Sequence, residues 1–553
     1  MVKRLKYIFI SLLAVTGCIT NDIPYPVVAP TVLSLEVDGA ESVRIDNDNR
    51  VISVVLAEYV NPKKVNITSI EVEQEYAEVS SDLIGEHDMT TPLKFSIRTY
   101  NDYEWKIVAQ TNVTRYFTVK GQVGSSVIDV ANCRAMAVVA KDTDLSQIEV
   151  TSLKLGPEGL SDYSLDISQM KDFTHGLSVD VTTFEITQTW TLYVEAAEVS
   201  VELKNVNPWT REAYVTSAGV EGQENGFRYR KAGSADWITV DQSDITADGG
   251  TFTAHLKALE PETDYEVLAF SGSDETSVWE FTTDKAARIP NGSFEYASKV
   301  AGKDYYKFYD PNCGVEDGMY MFWGSGNGEG SEGVNGSANM GIVITYVDTE
   351  DKVDGKQSVR AQTSQMAGIL AAGNLFTGQF AGLVGTSGGM VNFGRPWTTR
   401  PKALKIYCKY VTGKMDIIKG SPAGVTLTKD DYDRAEIKFA LGDWDYRKYG
   451  GTKDNPVHIN TTDEKTFVDF NTDQSTIAYG SVIIHHDGYI LNSQEKVETA
   501  TDQWIEYVIP LDYHDLERRP THLIVSCAAS RFGDYFTGYS GSKLWIDAVE
   551  LIY

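Results

Sequence analysis

The sequence lacks several features that define common protein classes. Only 5 of its 553 residues are cysteine, and their wide spacing contains no CxxC pair, which argues against a zinc site. Beyond the N-terminus no apolar run is long enough to cross a bilayer, which excludes a multi-pass membrane protein. Positive charge is scarce, with 49 Lys and Arg against 78 Asp and Glu and a net charge of -29. Because such a chain repels phosphate backbones, we expect no nucleic-acid partner.

The composition that remains favours an all-β, multidomain protein. Hydrophobic residues make up 42%, which is enough for ordinary cores and excludes global disorder. The 46 glycines and 30 tyrosines accompany an ordinary charged fraction of 23%. At roughly 150 residues per domain, the length predicts about four domains.

The N-terminus carries a targeting signal. Basic residues precede a short apolar run over residues 7–15, and the segment Val15-Thr16-Gly17-Cys18 resembles a bacterial lipobox. The resemblance implies that residues 1–17 are a signal peptide and that Cys18 carries several acyl chains, which anchor a protein stably. We therefore predict an outer-membrane lipoprotein facing the cell surface, with a Pro-rich tether over 18–30. The alternative is an ordinary secretory signal with an incidental cysteine.

The four remaining cysteines are Cys133, Cys313, Cys408 and Cys527. Cys408 and Cys527 alternate with aliphatic residues, which predicts that both point into a core. We expect buried free thiols. The alternative is a disulfide between the two strands, which the oxidising compartment of a secreted protein would allow.

An internal repeat follows the tether. Strand-like runs that begin at Val51 and Trp105 recur at Arg134 and Trp190, about 83 to 85 residues later. A constant offset of this kind predicts two tandem copies of one small immunoglobulin-like β-sandwich, over residues 31–120 and 121–204.

Residues 205–285 have a different pattern. Trp209 and the run from Leu259 through Pro261 to Tyr265 resemble a fibronectin type III domain. The resemblance implies a corner at which the tyrosine hydroxyl bonds back to the chain, with the tryptophan in the core.

Residues 286–553 are too long for another such module. Many short alternating runs lie between a first strand near Ile289 and a last one ending at Tyr553, as in the jelly-roll of carbohydrate-binding modules. Four motifs occur in order: Phe322-Trp-Gly-Ser-Gly-Asn327, Ala372-Gly-Asn-Leu-Phe-Thr-Gly378, Phe393-Gly-Arg-Pro-Trp397 and Arg531-Phe-Gly-Asp-Tyr-Phe-Thr-Gly538. Together they resemble the Bacteroidetes family called the putative carbohydrate metabolism domain (PCMD). The resemblance implies a jelly-roll on a secreted lipoprotein that takes part in glycan use, alongside outer-membrane proteins of glycan uptake.

Stacking aromatics and forked donors are the side chains that sugar binding requires. Aromatic residues beside Gly, Asn, Arg or Asp in turn-like segments, together with two arginines, are the predicted ligand-binding residues: Trp323, Arg395, Trp397, Trp444, Tyr446, Arg531 and Tyr535. Packing beneath a loop is the alternative for each aromatic.

Two pairs of acidic residues are further candidates. Asp443 and Asp445 flank Trp444, and alternate residues of a strand lie about 6.8 Å apart, within the loose range for an inverting glycosidase. The alternative is a pair of acidic loop residues. Glu295 and Asp547, on the first and last strands, could share a structural calcium, for which the sequence shows only two of several oxygen ligands. We expect no other cofactor.

Three functions are compatible with these observations. The first, which we favour, is a surface lipoprotein that captures polysaccharide or oligosaccharide with its C-terminal jelly-roll. The second is a glycoside hydrolase or lyase that uses acidic residues of the same domain. The third is an adhesin or surface-assembly protein without a sugar site.

Overall fold

The structure is a computed structural model that describes residues 28–197, 200–328, 336–366, 368–385, 387–491, 495–497 and 502–553. The predicted signal peptide and Cys18 lie outside the described residues. The described residues divide into two compact units: those within 28–201 together with 218–223 and 247–251, and the remainder up to Tyr553. In the described part, almost every regular element is a β-strand, and no helix is long and apolar enough to span a membrane.

The first unit contains two copies of one strand arrangement. In each copy, a strand pairs in parallel with a later long strand, Val51 opposite Lys106 in one and Arg134 opposite Thr191 in the other. The strands are β1 (Val32–Val37), β2 (Ala40–Asp46), β3 (Val51–Ala57), β4 (Val65–Val72), β5 (Glu78–Val79), β6 (Gly85–His87), β7 (Leu93–Arg98), β8 (Asp102–Asn112), β9 (Tyr116–Val119), β10 (Val127–Asp129), β11 (Arg134–Val139), β12 (Val150–Lys154), β13 (Ser161–Tyr163), β14 (Leu177–Thr183) and β15 (Ile186–Ala196).

The sheet orders make the repeat explicit. One five-stranded sheet runs β2-β3-β8-β7-β5 and the other β10-β11-β15-β14-β13. Trp105 and Trp190, which the sequence places at equivalent positions, are buried in the two cores. The exact limits of the predicted modules stay predictions.

The second unit begins with the fibronectin type III-like strands. Their two sheets run β16-β17-β21-β20 and β19-β18-β22-β23, with β24 also paired to β22. The tyrosine corner is present, because the Glu260 amide donates to the Tyr265 hydroxyl at 2.9 Å, and Trp209 is buried. The strands are β16 (Glu202–Pro208), β17 (Ala213–Ala218), β18 (Asn225–Lys231), β19 (Ile238–Thr239), β20 (Ile245–Asp248), β21 (Thr251–Leu256), β22 (Asp264–Ser271), β23 (Asp274–Glu275) and β24 (Trp279–Thr282).

The C-terminal part of this unit is a β-sandwich with two short α-helices, α1 (Glu316–Met319) and α2 (Tyr446–Tyr449). Its strands are β25 (Ser298–Lys299), β26 (Tyr306–Lys307), β27 (Trp323–Gly324), β28 (Thr345–Asp348), β29 (Ser358–Gln362), β30 (Ser364–Met366), β31 (Ile369–Ala371), β32 (Asn374–Val384), β33 (Gly388–Phe393), β34 (Arg395–Pro396), β35 (Ala403–Val411), β36 (Ala435–Gly442), β37 (Val457–Asn460), β38 (Thr476–His485), β39 (Gly488–Leu491), β40 (Glu495–Val497), β41 (Ile505–Pro510), β42 (Asp512–Tyr513), β43 (His522–Ala528) and β44 (Lys543–Ile552).

Two sheets enclose the C-terminal core. The larger runs β37-β33-β32-β43-β36-β38-β39-β40, and the smaller runs β28-β29-β44-β35-β41. Alternate residues of the central strands meet between the sheets and form one apolar cluster, which includes Phe439, Val525 and Ile546. Cys408 and Cys527 are buried in this cluster as free thiols, and burial raises the pKa of both well above the ordinary value.

A buried arginine joins the fibronectin type III-like strands to the C-terminal sandwich. Arg400 is 1% exposed; its guanidinium donates to the Asn207 side chain at 2.9 Å and to the Pro208 carbonyl at 2.6 Å. The same group lies 4.4 Å from the centre of the Trp209 ring. Burial lowers the pKa of Arg400 to about 10, so the side chain still carries its charge at neutral pH.

Candidate functional site

The predicted tryptophan platforms are not on the surface. Trp323 and Trp444 are 2% exposed and Trp397 is 8% exposed. The Trp323 indole donates to the Pro290 carbonyl at 3.0 Å. The expectation that aromatics beside turns present a ring face to a ligand is therefore wrong for these three residues.

Glycine explains the inward direction of Trp444. A Cβ atom on Gly442 would come within 2.6 Å of the Trp444 ring, so the missing side chain leaves room for the indole to fold back onto the strand end. There the ring packs edge-on against Phe470, at 5.6 Å between ring centres. A glycine two residues from an aromatic can thus allow the ring to fold inward rather than face solvent.

Arg395 is a structural residue in the fold. Its side chain is buried and donates to the Phe322 carbonyl at 3.0 Å and the Gly378 carbonyl at 2.6 Å. These bonds satisfy backbone carbonyls of two segments at once. The guanidinium therefore does not reach the surface as a forked donor to a ligand, which corrects the sequence interpretation.

Asp443 and Asp445 do not share a strand face, because β36 ends at Gly442. Asp443 accepts a hydrogen bond from Arg518 at 2.5 Å. Asp445 caps α2 and is bound by Arg447, whose side chain and backbone hydrogen bonds lower the pKa of that carboxyl to about 2. A general acid needs a raised pKa, so Asp445 does not suit that role. Tyr446 follows, with 42% of its surface exposed.

Glu295 and Asp547 both bind backbone amides. Asp547 is fully buried and accepts from the amides of Val353 at 2.8 Å and Asp354 at 3.2 Å, while Glu295 accepts from that of Lys356 at 2.9 Å. Burial raises the pKa of Asp547, these bonds oppose the rise, and Glu295 adds to it. Both carboxylates thus hold the loop before β29. Within the described residues no three His, Cys, Asp or Glu side chains form a metal-binding group. A calcium ion shared by Glu295 and Asp547 stays a prediction.

A different set of side chains meets on the outer surface of the larger sheet. On β36, β43 and β32, the residues that alternate with the core residues point away from the sandwich. Lys438 on β36 pairs with Ser526 on β43, and Glu436 pairs with Ala528. On its other side, Ala528 pairs with Asn374 of β32. We call this surface the open face; it consists of Asn374, Glu436, Lys438, Ser526 and Ala528.

Charged groups of the open face form a compact network. Glu436 binds Lys438 and Arg531, each at 3.2 Å, and its side chain is only 9% exposed. Burial alone would lower the pKa of Lys438, but Glu436, with help from Tyr479 and Asp534, raises it. Lys438 is therefore positively charged at neutral pH. Ion pairs of this kind hold side chains in fixed directions, which a polar ligand requires.

The segment after β43 borders the open face. Asp534 and Tyr535 lie in a short 3-10 helix that ends at Phe536, whose φ is +54°. Positive φ is unusual for a bulky residue and occurs often at functional sites. Tyr535 is half-buried and meets Phe467 edge-on at 5.7 Å. Desolvation by neighbouring groups raises the pKa of Asp534, although the residue itself is exposed to solvent; Lys438 opposes the rise and Glu436 adds to it.

A cleft of about 170 Å³ adjoins the open face. Asn374 and Asp534 line it, so it is continuous with the open face and the segment after β43. We call it the apolar cleft because most of its wall is aliphatic or aromatic: Met340, Ile342, Ile344, Ile369, Leu370, Phe380, Leu383, Val391 and Phe536.

Of the residues predicted for ligand binding, Arg531 and Tyr535 lie at this site. Sequence reasoning did not single out Glu436 and Lys438. A signal for them exists, because Ala435-Glu-Ile-Lys-Phe439 places charged residues at alternate positions of an apolar strand. The contact between Arg531 and Glu436 joins two distant segments and has no local signal.

Residues 293–552 match the family model described as "Putative carbohydrate metabolism domain". The match covers 260 of the 553 residues, a little under half of the chain. No curated protein matches the chain.

Among solved structures, a putative glycoside hydrolase from Bacteroides thetaiotaomicron is similar over 96% of this chain and 98% of its own, at 13% identity and a TM-score of 0.28. A second one, from Bacteroides vulgatus, aligns with 47% of this chain and 96% of its own, at 20% identity and a TM-score of 0.32. A carbohydrate-binding module specific for non-crystalline cellulose aligns with 47% of this chain and 97% of its own, at 8% identity and a TM-score of 0.19.

Proposed function

We propose that the PCMD of this protein binds a glycan across the open face and the apolar cleft. The observation that carries the proposal is the joining of the two surfaces: a fixed network of Glu436, Lys438 and Arg531 lies beside a concave apolar wall. Sugars have hydroxyls that need directed polar partners and C–H faces that need apolar contact. Ligand sites typically combine an apolar wall with a few convergent polar groups.

The aromatic contact in this proposal comes from the segment after β43. Phe536 lines the cleft, and half-buried Tyr535 stands beside it. Together they replace the three buried tryptophans as candidates for stacking on a sugar ring. Arg531 supplies a planar donor: its Nε lies 3.2 Å from Glu436, and no ion pair within the described part of the chain engages its two terminal nitrogens.

We further propose that the chain is a lipoprotein anchored through Cys18 on the outer surface of the outer membrane. The support is the lipobox-like segment and the Pro-rich tether. In the order of the chain, the immunoglobulin-like and fibronectin type III-like strands lie between Cys18 and the PCMD. Such a protein would pass captured glycan to outer-membrane uptake proteins.

A glycan array with the full chain, followed by calorimetry on each hit, tests the binding proposal. We expect Arg531→Ala to weaken binding at least about tenfold, because it removes a charge-assisted contact. The matched control is Arg447→Ala, since Arg447 is also paired with an acid but belongs neither to the open face nor to the lining of the cleft; it should bind normally. If no glycan binds, the proposal is wrong and the adhesin function gains weight.

One observation favours glycoside hydrolysis as a second candidate. Asp534 is exposed and lines the cleft, and desolvation together with Glu436 raises the pKa of its carboxyl, while Glu436 itself is held between two cations. Two carboxyl groups with different environments are the usual arrangement of a general acid and an ionised partner. Release of reducing sugar from a bound glycan, lost in Asp534→Asn while binding persists, would establish hydrolysis. Binding without release would leave a capture protein.

A further inference from the structure

A half-buried arginine beside the open face has no partner for its side chain. Arg434 directly precedes β36, and its guanidinium forms neither a hydrogen bond nor an ion pair with any residue that the structure describes. In the same part of the chain, every other arginine that is at least partly buried binds an acidic side chain or a backbone carbonyl. Because a desolvated charge without a partner is unfavourable, and because nearly all buried polar groups are satisfied, this exception indicates a ligand.

The terminal nitrogens of Arg434 can reach a ligand, whereas its Nε cannot. Nε is buried without a hydrogen-bond partner; Nη1 and Nη2 also have no partner within the described chain, but they are not buried. The pKa of Asp431 is lowered chiefly by hydrogen bonds from Thr428, with a smaller contribution from Arg434, and the side chains of Asp431 and Arg434 form no ion pair. Arg434 therefore presents two donors and a charge that no contact within the described residues neutralises.

Arg531 lies beside Arg434 on the same surface. Its amide donates to the Arg434 carbonyl at 2.8 Å, which continues the pairing of β36 with β43. Arg434 thus follows the alternation that places Glu436 and Lys438 on the open face. The guanidinium carbons of Arg434 and Arg531 lie 5.8 Å and 5.5 Å from the centre of the buried Phe532 ring. Contact with one ring holds both cations in place, so one short glycan segment can contact both.

We propose that Arg434 and Arg531 together bind an anionic group, a carboxylate or a sulfate, of a glycan that lies on the open face. This inference rests on the proposed glycan binding and deepens it to a substrate class, the acidic glycans. The terminal nitrogens of a guanidinium donate two parallel hydrogen bonds to such a group, and the opposite charges strengthen both bonds. A neutral sugar hydroxyl would leave the charge of Arg434 without a counter-ion.

The acidic residues of this region leave the two arginines accessible to an anion. Glu436 is held between Lys438 and Arg531, and Asp534 lines the apolar cleft. The whole chain has a net charge of -29 and therefore repels polyanions in general. Binding of an acidic glycan thus requires a local site and does not follow from the overall charge.

Paired ligands test the inference by calorimetry on the unmodified full chain. The first pair is the galacturonic acid hexamer and its carboxyl-reduced form, which differ only in the carboxylates. The second pair is dextran sulfate and dextran, which differ only in the sulfate esters. Every glycan-array hit that carries a uronate or a sulfate is compared in the same way with its reduced or desulfated form. We expect the acidic member of at least one pair to bind about tenfold or more tightly, because it adds charge-assisted hydrogen bonds. The pair that discriminates identifies carboxylate or sulfate as the anionic group.

Variants of Arg434 locate the contact. Arg434→Ala should weaken binding of the acidic member about tenfold and leave the affinity for the neutral member unchanged. Arg434→Lys keeps the charge but loses the planar fork, so it should recover only part of the affinity. The control is Arg288→Ala, which removes the same charge at an exposed arginine that does not line the apolar cleft and forms no ion pair within the described residues; it should bind normally. Unchanged thermal unfolding of each variant excludes loss of fold, and if Arg434→Ala does not fold, Arg434→Lys decides.

The outcomes separate the two proposals. If acidic and neutral members bind equally, if every hit on the array is a neutral glycan, or if the Arg434 variants bind like the unmodified protein, the inference of an anionic group is wrong and glycan binding stands. If no glycan binds at all, both proposals fail together.

Discussion

The two faces of strand β36 show how one strand serves two purposes. Ala435, Ile437 and Phe439 point into the sandwich core and are fully buried. Glu436 and Lys438, which alternate with them, point to the open face and carry its charges. Because the side-chain period of a strand is two residues, neighbours along the chain lie in opposite environments.

The comparison teaches that fold and site can be encoded in the same few residues without conflict. The core face depends on apolar volume and tolerates little change in shape. The open face depends on a few directed contacts between charged side chains, which contribute little to stability at partly exposed positions. Substitutions on the two faces should therefore separate loss of folding from loss of binding.

The largest expected difference in stability is between variants of the adjacent residues Phe439 and Lys438. Phe439→Ala should lower the free energy of unfolding by about 3–5 kcal/mol, because it opens a cavity in the closed core. Lys438→Ala should change it by about 1–2 kcal/mol, because Lys438 is partly exposed but its loss leaves the nearly buried Glu436 with Arg531 as its other cation, while weakening glycan binding. Denaturant unfolding and calorimetry on both variants measure the two effects. Similar losses of stability would show that the open face is part of the core, contrary to the structure.

Sequence reasoning predicted the core face well because alternation is a local signal. The runs around Cys408 and Cys527 alternate with aliphatic residues, and both thiols are indeed buried between the sheets. The tyrosine corner at Tyr265 was equally local, since donor and acceptor lie five residues apart.

The open face was not predicted, because its contacts join segments distant in the chain. Nothing near Arg531 in sequence indicates that it binds Glu436. The aromatic prediction failed for another reason: a place in a turn-like segment, beside Gly, Asn, Arg or Asp, was taken as a sign of exposure, whereas Gly442, two residues before Trp444, leaves the space into which that ring folds. Whether such a side chain points inward or outward depends on the packing around it, and a single sequence does not show that packing.

Trp444 and Tyr446 extend the comparison to aromatics beyond the end of β36. Trp444→Ala should destabilise the protein by about 3 kcal/mol. This loss of stability is small for a buried aromatic. The buried indole N–H has no hydrogen-bond partner among the described residues, so it already destabilises the folded state and its removal offsets part of the lost packing. Tyr446→Ala, at a ring 42% exposed, should stay within about 0.5 kcal/mol. Thermal unfolding compares the two; a stable Trp444→Ala variant that fails only in glycan binding would restore the platform interpretation.

The smallest expected effect is a pH dependence of opposite sign at Asp534 and Asp445. The pKa of Asp534 is raised above its ordinary value of 3.8, so the protonated carboxyl is favoured in the folded state, and stability is lost as pH rises through the folded-state pKa. Because Asp534 is exposed and solvent screens such interactions, the melting temperature of Asp534→Asn relative to the unmodified protein should increase only slightly as pH rises above about 4. The pKa of Asp445 is lowered to about 2, so its contribution is present above pH 4 and is lost as pH falls towards 2. Asp445→Asn should accordingly be less stable than the unmodified protein at neutral pH, with the difference closing in acid. Differential scanning fluorimetry across this range measures both differences, and a difference for Asp534→Asn that does not vary with pH would show that its carboxyl is solvated like that of an ordinary surface aspartate.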